Sequence, residues 1–119
     1  MPRRFRTSDG HWVRSKSELM VANFLFLNRL WYQYERPVTI VGVSIKPDFF
    51  LPGLGPKGTH LEHFGMLDNP VYRDLARRKA DLFRKANPPR IATREKDVDD
   101  IDTSLHRKLS QAGAILKAP

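Results

Sequence analysis

Residues 45–65 decide the fold that this sequence predicts, and they read IKPDFFL, PGLGPKG and THLEHFG in succession. Two short apolar runs flank a segment rich in glycine and proline, which is the pattern of a β-hairpin. Because side chains alternate across a strand, Asp48 shares a face with Lys46, and Glu62 shares a face with Phe64. We therefore expect Asp48 and Glu62 to face each other across the hairpin.

Each of these acids lies in an apolar strand, where an uncompensated carboxylate is costly or stays protonated. Two facing carboxylates favour a divalent cation, since carboxylate oxygens suit Mg²⁺, Mn²⁺ and Ca²⁺. The alternative is a pair of edge-strand acids in solvent, each bonded to a nearby lysine or arginine. The hairpin alone leaves both interpretations open.

Composition narrows the class of protein. The chain has 119 residues, no cysteine and a formal net charge of +8. We expect a basic arm at residues 1–14 and one domain at 15–119. The charge favours a polyanionic partner, nucleic acid before an anionic membrane surface. The lack of cysteine excludes disulfides and Cys-based zinc sites.

No apolar run approaches the roughly 20 residues of a membrane span, so we expect a cytoplasmic protein without a membrane partner.

Flanking segments predict helices and further strands. Ser15 to Glu18 matches a capping box, followed by a largely buried helix to about Leu30. The other predicted elements are strands at 31–35, 37–41, 43–51, 59–64 and 90–93, an acidic loop at 95–100 and two helices. The second helix runs from Pro70 to about Lys85, with Asn69 as the capping side chain before it, and the last runs over about 103–112 and packs on Leu105 and Leu109. This order predicts an α/β or α+β fold with a central mixed sheet of four to five strands flanked by helices.

One lysine falls on the inner stripe of the predicted second helix. Lys79 lies four residues after Leu75 and three before Leu82, so it shares their face. A lysine in such a stripe commonly extends along its aliphatic stem to solvent. A second interpretation, in which its amine reaches a site, is open at this point.

Two other patterns are discounted. Residues 53–58 spell GxGxxG, but they contain a proline and lead into a strand, whereas the dinucleotide fingerprint opens a helix. His60, Glu62 and His63 suggest zinc, yet zincin motifs place their ligands on a helix. We expect a hairpin loop and no zinc site.

Several short motifs together resemble the PD-(D/E)XK nuclease superfamily in order and approximate spacing. The chain is most similar, over about residues 15–93, to nuclease-like domains that accompany some bacterial DNA helicases. The resemblance implies a restriction-endonuclease-like core. It is carried by Ser15-Lys16-Ser17-Glu18, Tyr34-Glu35-Arg36-Pro37, Lys46-Pro47-Asp48-Phe49, Glu62-His63-Phe64-Gly65-Met66, Asp68-Asn69-Pro70-Val71-Tyr72 and Lys79.

The resemblance also implies a metal site. Glu18, Asp48 and Glu62 would hold Mg²⁺, for which Mn²⁺ can substitute, and the main-chain carbonyl of His63 would be a further ligand. The chain departs from the family pattern at Phe64, where the usual catalytic lysine would stand.

The resemblance assigns the role of that missing lysine to Lys79, with Lys46 as the second choice. It also implies that Glu35 and Tyr72 support the site. Basic side chains that are candidates for DNA contact are Arg3, Arg4, Arg6, Arg14, Lys16, Lys57 and Arg78.

The expected function is that of a Mg²⁺-dependent endodeoxyribonuclease, an enzyme that hydrolyses phosphodiester bonds in DNA. Branched, nicked or otherwise structured DNA in repair, recombination or phage DNA processing would be its substrate. A homodimer, a helicase or another DNA-processing protein is the expected partner for cutting both strands of a duplex. The alternatives are a catalytically inactive DNA-binding module of the same fold and a nuclease that acts on RNA.

Overall fold

The computed structural model describes residues 2–65, 68–86 and 88–116. Met66, part of the family-like pattern, and Asn87, at the predicted end of the second helix, lie outside these ranges. The elements are β1 (Phe5–Arg6), β2 (Trp12–Val13), α1 (Lys16–Leu27), β3 (Gln33–Tyr34), β4 (Val38–Ile40), β5 (Val43–Ile45), β6 (Phe49–Leu51), β7 (Thr59–Phe64), α2 (Pro70–Ala86), β8 (Arg90–Arg94), α3 (Glu95–Asp99) and α4 (Ile101–Gln111).

A mixed four-stranded sheet forms the centre of the fold, with strand order β3-β6-β7-β8. The β3–β6 and β6–β7 pairs are antiparallel, and β7 and β8 are parallel. In the β6–β7 hairpin, Phe49 pairs with Leu61 and Leu51 with Thr59. The prediction of a mixed sheet flanked by helices, built around this hairpin, is confirmed.

The predicted strand at 43–51 is divided in two. β5 ends at Ile45 and pairs with β4 in a separate two-stranded hairpin, while β6 begins at Phe49 and joins the main sheet. Pro47 lies at the break. Proline cannot donate a ladder hydrogen bond, which explains why one strand cannot run through it.

The basic arm expected at the start of the chain contains two short paired strands. β1 and β2 form an antiparallel hairpin. The main-chain N–H of Ser8 donates to Oδ1 of Asn23 in α1, at 2.8 Å, and Val13 is fully buried. The hairpin is therefore anchored to the first helix.

The core lies between the sheet and the helices α1 and α4. Leu25, Phe49, Leu61, Leu105 and Leu109 are its most buried large members. Burial of the two leucines of α4 was predicted from the sequence. The prediction of a largely buried α1 holds for one face of the helix, whereas its other face exposes Met20, Phe26 and Leu27.

The predicted acidic loop at 95–100 is a short helix, α3. Asp97 is buried there. Its carboxylate accepts hydrogen bonds from the main-chain N–H of Arg94 at 2.8 Å, from the hydroxyl of Ser104, and from Nζ of Lys108 at 2.9 Å. The acid caps the start of the helix and ties α3 to α4, which is why these residues are helical.

Within the described ranges, no helix combines the length and the apolar character needed to cross a bilayer.

Candidate functional site

Asp48 and Glu62 meet beside the break between β5 and β6. The main-chain N–H of Asp48 donates to Oε1 of Glu62 at 2.8 Å, and the main-chain N–H of His63 donates to Oδ2 of Asp48 at 2.8 Å. Glu62 is buried and Asp48 half-buried. The structure therefore brings together the two acids that the hairpin pattern expected to face each other.

Glu18 approaches this pair from the first turn of α1. The hydroxyl of Ser15 accepts the main-chain N–H of Glu18 at 3.1 Å, as the capping pattern predicted. The Glu18 carboxylate, however, accepts from the main-chain N–H of Arg14 at 3.2 Å and from the hydroxyl of Tyr34 at 3.0 Å. Burial first, and then the charge of Asp48, raise the pKa of Glu18 to about 7.

The two sheet acids are also difficult to ionise. Burial first, and then the carboxylate of Glu62, raise the pKa of Asp48 to about 7. Burial likewise raises the pKa of Glu62, although Lys79 and the hydrogen bond from Asp48 oppose the increase. Three carboxyl groups thus share a region in which full ionisation needs additional positive charge.

Lys79 extends from α2 towards the acids. Its Nζ lies 3.6 Å from Oε2 of Glu62 and donates a hydrogen bond to the main-chain carbonyl of Lys46 at 3.0 Å. Its side chain is 30% exposed. Of the two open interpretations, the one in which the amine reaches the site describes the structure. Lys46, the second candidate for the catalytic lysine, accepts this hydrogen bond with its main-chain carbonyl.

Tyr72, on the first turns of α2, closes the site over β7. Its hydroxyl donates to the main-chain carbonyl of His63 at 2.9 Å. Burial first, and then the charge of Asp48, raise the pKa of Tyr72 to about 12. The carbonyl expected as a metal ligand therefore lies next to the acids and already has one donor.

The rings of His60 and His63 contact partners other than Asp48 and Glu62. His63 hydrogen-bonds with Oγ1 of Thr93 at 2.8 Å and with Oε1 of Glu95 at 2.9 Å. The ring of His60 packs against Phe50, with centroids 4.9 Å apart. His60 and His63 are thus on opposite faces of β7, which is unsuited to one shared zinc ion.

The donor set suits a magnesium-type ion. Across residues 2–65, 68–86 and 88–116, no three His, Asp or Glu side chains already converge closely enough to hold a metal. Mg²⁺, however, is commonly held by one or two carboxylates and keeps several waters. Asp48 and Glu62 supply two carboxylates whose raised pKa values would fall beside a cation. These residues fit Mg²⁺ with the His63 carbonyl and Glu18 close by.

Glu35 is linked to Glu18 through an arginine. It accepts from Nε of Arg14 at 2.8 Å and from Nη2 of Arg3 at 2.7 Å. Arg14 in turn donates its main-chain N–H to Glu18. Arg3 and Arg14, expected as DNA contacts, are thus engaged with Glu35, and Arg14 links Glu35 to the acid of α1.

Tyr34 is a functional candidate to which the sequence analysis gave no role of its own. Its hydroxyl lies between the carboxylate of Glu18 and the main-chain N–H of Arg14. Its position in the quoted Tyr34-Glu35-Arg36-Pro37 motif was the signal that could have identified it.

A cleft of about 690 Å³ opens onto the acids between the β4–β5 hairpin and α2. Asp48, Glu62, Tyr72 and Lys79 line it, together with Arg14 and Arg78. The other expected DNA contacts are exposed and lie elsewhere, in or beside β1 (Arg3, Arg4 and Arg6), at the start of α1 (Lys16) and in the β6–β7 loop (Lys57).

Comparisons with protein-family models, with curated proteins and with solved structures find no match to this chain.

Proposed function

We propose that this chain is a metal-dependent DNA endonuclease of the PD-(D/E)XK type, built on a restriction-endonuclease-like core. The observation that carries the proposal is the position of Lys79, whose amine lies 3.6 Å from Glu62. Glu62 is hydrogen-bonded to the Asp48 main chain. The family resemblance implies two acids and one lysine at the site, and here Glu62 comes from β7, Asp48 from the residue before β6, and Lys79 from α2.

The arrangement of elements supports the same fold. The acids lie on neighbouring antiparallel segments of a mixed sheet, and Glu18 comes from the helix that precedes the sheet. Its raised pKa, caused in part by Asp48, indicates that Glu18 and Asp48 interact through their charges. These positions agree with the family pattern seen in the sequence.

Asp48 and Glu62 would hold Mg²⁺, with the main-chain carbonyl of His63 and Glu18 as additional oxygen donors. When bound, the ion would polarise a phosphoryl oxygen and lower the pKa of a bound water. Mn²⁺ offers similar oxygen coordination and would substitute.

Lys79 would act on the phosphate itself. An ammonium group has three donors, of which one bonds the Lys46 carbonyl and another is directed to Glu62. The third remains for a phosphoryl oxygen or for the attacking water. A fixed positive charge in a partly buried site stabilises the negative charge that develops in the transition state.

DNA is the proposed substrate because the chain carries a formal charge of +8. Such a field attracts a polyanion and concentrates it at a cleft. Cutting both strands of a duplex would require a second copy of the chain or a DNA-processing partner. RNA is an alternative substrate that the assay below includes.

The competing proposal, an inactive DNA-binding module, depends on Phe64 occupying the usual lysine position. The approach of Lys79 to Glu62 favours activity instead.

A cleavage assay separates these proposals. Supercoiled plasmid, branched DNA, single-stranded DNA and RNA are each incubated with the protein in Mg²⁺, in Ca²⁺ and in EDTA. An active endonuclease cleaves at least one DNA substrate in Mg²⁺ and none in EDTA. Salt-sensitive DNA binding without cleavage of any substrate would instead identify an inactive module.

A further inference from the structure

A second pocket, of about 360 Å³, lies between α2 and β8. Arg73 and Arg77 line it from α2, and Arg90 and Arg94 line it from β8. These four arginines, together with Phe64 and Phe83, which also line it, define what is called here the arginine pocket. Apart from Ala76, which lines both cavities, the α2 residues of this pocket belong to a different face of the helix from Tyr72, Lys79 and Leu82, which line the cleft.

Among the described residues, the arginines of this pocket have no acidic partners. In the part of the chain that the structure describes, none of the four forms an ion pair, whereas Arg3 and Arg14 bind Glu35. Glu62 is the one acid among the residues that line the pocket, and it is engaged by Lys79. Four guanidinium groups around one concavity produce a positive potential that an anion would neutralise.

Aromatic rings lie beneath two of these guanidinium groups. The guanidinium carbon of Arg94 is 6.0 Å from the centroid of Phe64, and that of Arg90 is 5.8 Å from the centroid of Phe83. Phe83 is buried, whereas Phe64 is half-buried. A planar ligand could therefore reach the Phe64 ring and lie beside the Arg94 guanidinium.

The arginine pocket adjoins the catalytic cleft. Glu62, Phe64 and Ala76 line both cavities. A group bound on the Phe64 ring would consequently lie next to the strand position that carries Glu62. Phe64, which stands where the usual lysine would be, is therefore one of the three residues that the two cavities share.

We propose that the arginine pocket binds an unpaired nucleotide of the substrate strand, with its base on Phe64 and its phosphates on the arginines. This inference rests on the proposed nuclease function and names its substrate class, DNA that is single-stranded beside the cut. Base faces within a duplex are covered by their stacked neighbours, whereas an unpaired base can stack on an aromatic ring. A volume near 360 Å³ is in the range of small-ligand pockets and suits one nucleotide.

The first test removes the ring and keeps the apolar volume. Binding of a labelled single-stranded oligonucleotide and of its duplex is measured in Ca²⁺ for the wild type and Phe64→Leu. Since base stacking on an aromatic ring is a substantial part of single-strand affinity, Phe64→Leu should weaken single-strand binding by about tenfold. Duplex binding should stay unchanged. Equal effects on both ligands, or no effect on either, would overturn the proposal.

The second test removes charge from the pocket. Arg73→Gln combined with Arg90→Gln is compared with Lys85→Gln combined with Arg107→Gln, a pair that removes the same charge from exposed positions outside the pocket. The slope of log affinity against log salt for single strands should fall by about 1.4 in the pocket variant, because each phosphate contact contributes about 0.7. The slope should change less in the control variant. Identical slopes in the two variants would contradict the proposal.

Free deoxyadenosine monophosphate distinguishes the source of the nucleotide. The proposal expects an oligonucleotide to bind the wild type far more tightly than the mononucleotide does. Comparable affinities would assign the pocket to a free nucleotide and overturn the substrate-strand assignment. Absence of Mg²⁺-dependent cleavage, with Phe64-dependent single-strand binding intact, would instead count against the nuclease function alone.

Discussion

The amine of Lys79 lies 3.6 Å from Oε2 of Glu62, although the two residues belong to different elements, α2 and β7. Phe64, two residues after Glu62 on the same strand, has no charged group to place beside the acids. The helix residue Lys79 places its amine there instead. Lys79→Met keeps much of the aliphatic stem and removes the charge. If the amine stabilises the transition state, the single-turnover cleavage rate in Mg²⁺ should fall by about 10² or more.

The matched control is Lys46→Met, which removes the side-chain amine and keeps the main-chain carbonyl that holds Lys79. Its rate should remain near that of the wild type, and DNA affinity measured in Ca²⁺ should change little in Lys79→Met. A normal rate in Lys79→Met with a collapsed rate in Lys46→Met would transfer the role to the strand lysine.

The clustered acids should make the metal-free protein sensitive to pH. The pKa values of Glu18 and Asp48 are raised to about 7 in the folded state, mainly by burial. Between the unfolded and folded pKa values the folded protein binds more protons, so its free energy of unfolding should decrease as the pH rises from about 5 to about 8. Thermal unfolding in EDTA at these pH values measures the effect.

Asp48→Asn serves as the reference for this measurement, because it differs from the wild type in this one titratable group. The unfolding temperature of the variant should depend less on pH. Mg²⁺ at pH 8 should raise the unfolding temperature of the wild type more than that of the variant. Equal pH dependence in the two proteins would show that Asp48 is not held in this environment.

Asp97 should stabilise the fold in the opposite pH direction. Burial opposes its ionisation, but hydrogen bonds from Ser104, Lys108 and the Arg94 main chain outweigh it and lower the pKa of Asp97 to about 2. The stabilisation is complete above the unfolded pKa of about 4 and is lost as the pH falls towards 2. Asp97→Asn should cost about 2 kcal/mol at pH 7.

Urea unfolding at pH 7 and pH 3 measures the loss of stability, with the exposed Asp102→Asn as control. The difference in free energy of unfolding between wild type and Asp97→Asn should be smaller at pH 3. A difference that is independent of pH would assign the loss to packing and not to charge.

DNA binding should depend on salt, because the chain carries a formal charge of +8. For a duplex in Ca²⁺, log affinity should decrease with log salt by about 0.9 for each phosphate neutralised. Fluorescence anisotropy between about 50 and 200 mM salt measures the slope. Binding that is indifferent to salt in this range would contradict nucleic acid as the partner.

Local sequence patterns were sufficient to predict much of the fold. Strand alternation predicted that Asp48 and Glu62 face each other, and the capping side chains Ser15 and Asn69 marked the starts of α1 and α2. The buried positions Leu105 and Leu109 followed from helical spacing. These features depend on neighbours within a few residues or on one short turn.

Long-range contacts account for what the sequence did not predict. The engagement of Arg3 and Arg14 by Glu35 joins positions 32 and 21 residues apart. α3 forms because Asp97 is held by Ser104 and Lys108 from the next helix. Such contacts leave no periodic signal in the sequence.

The most direct test of the central claim is the Mg²⁺-dependent cleavage rate of the wild type beside Asp48→Asn. Asparagine can still accept the hydrogen bond from the His63 main chain but provides no charge for a metal, so the fold should persist while cleavage is abolished. Asp102→Asn, an exposed acid of α4, is the control and should cleave normally. Cleavage of DNA by the wild type in Mg²⁺ and its loss in Asp48→Asn are the predicted results, whereas substantial cleavage by a folded Asp48→Asn protein would contradict the site.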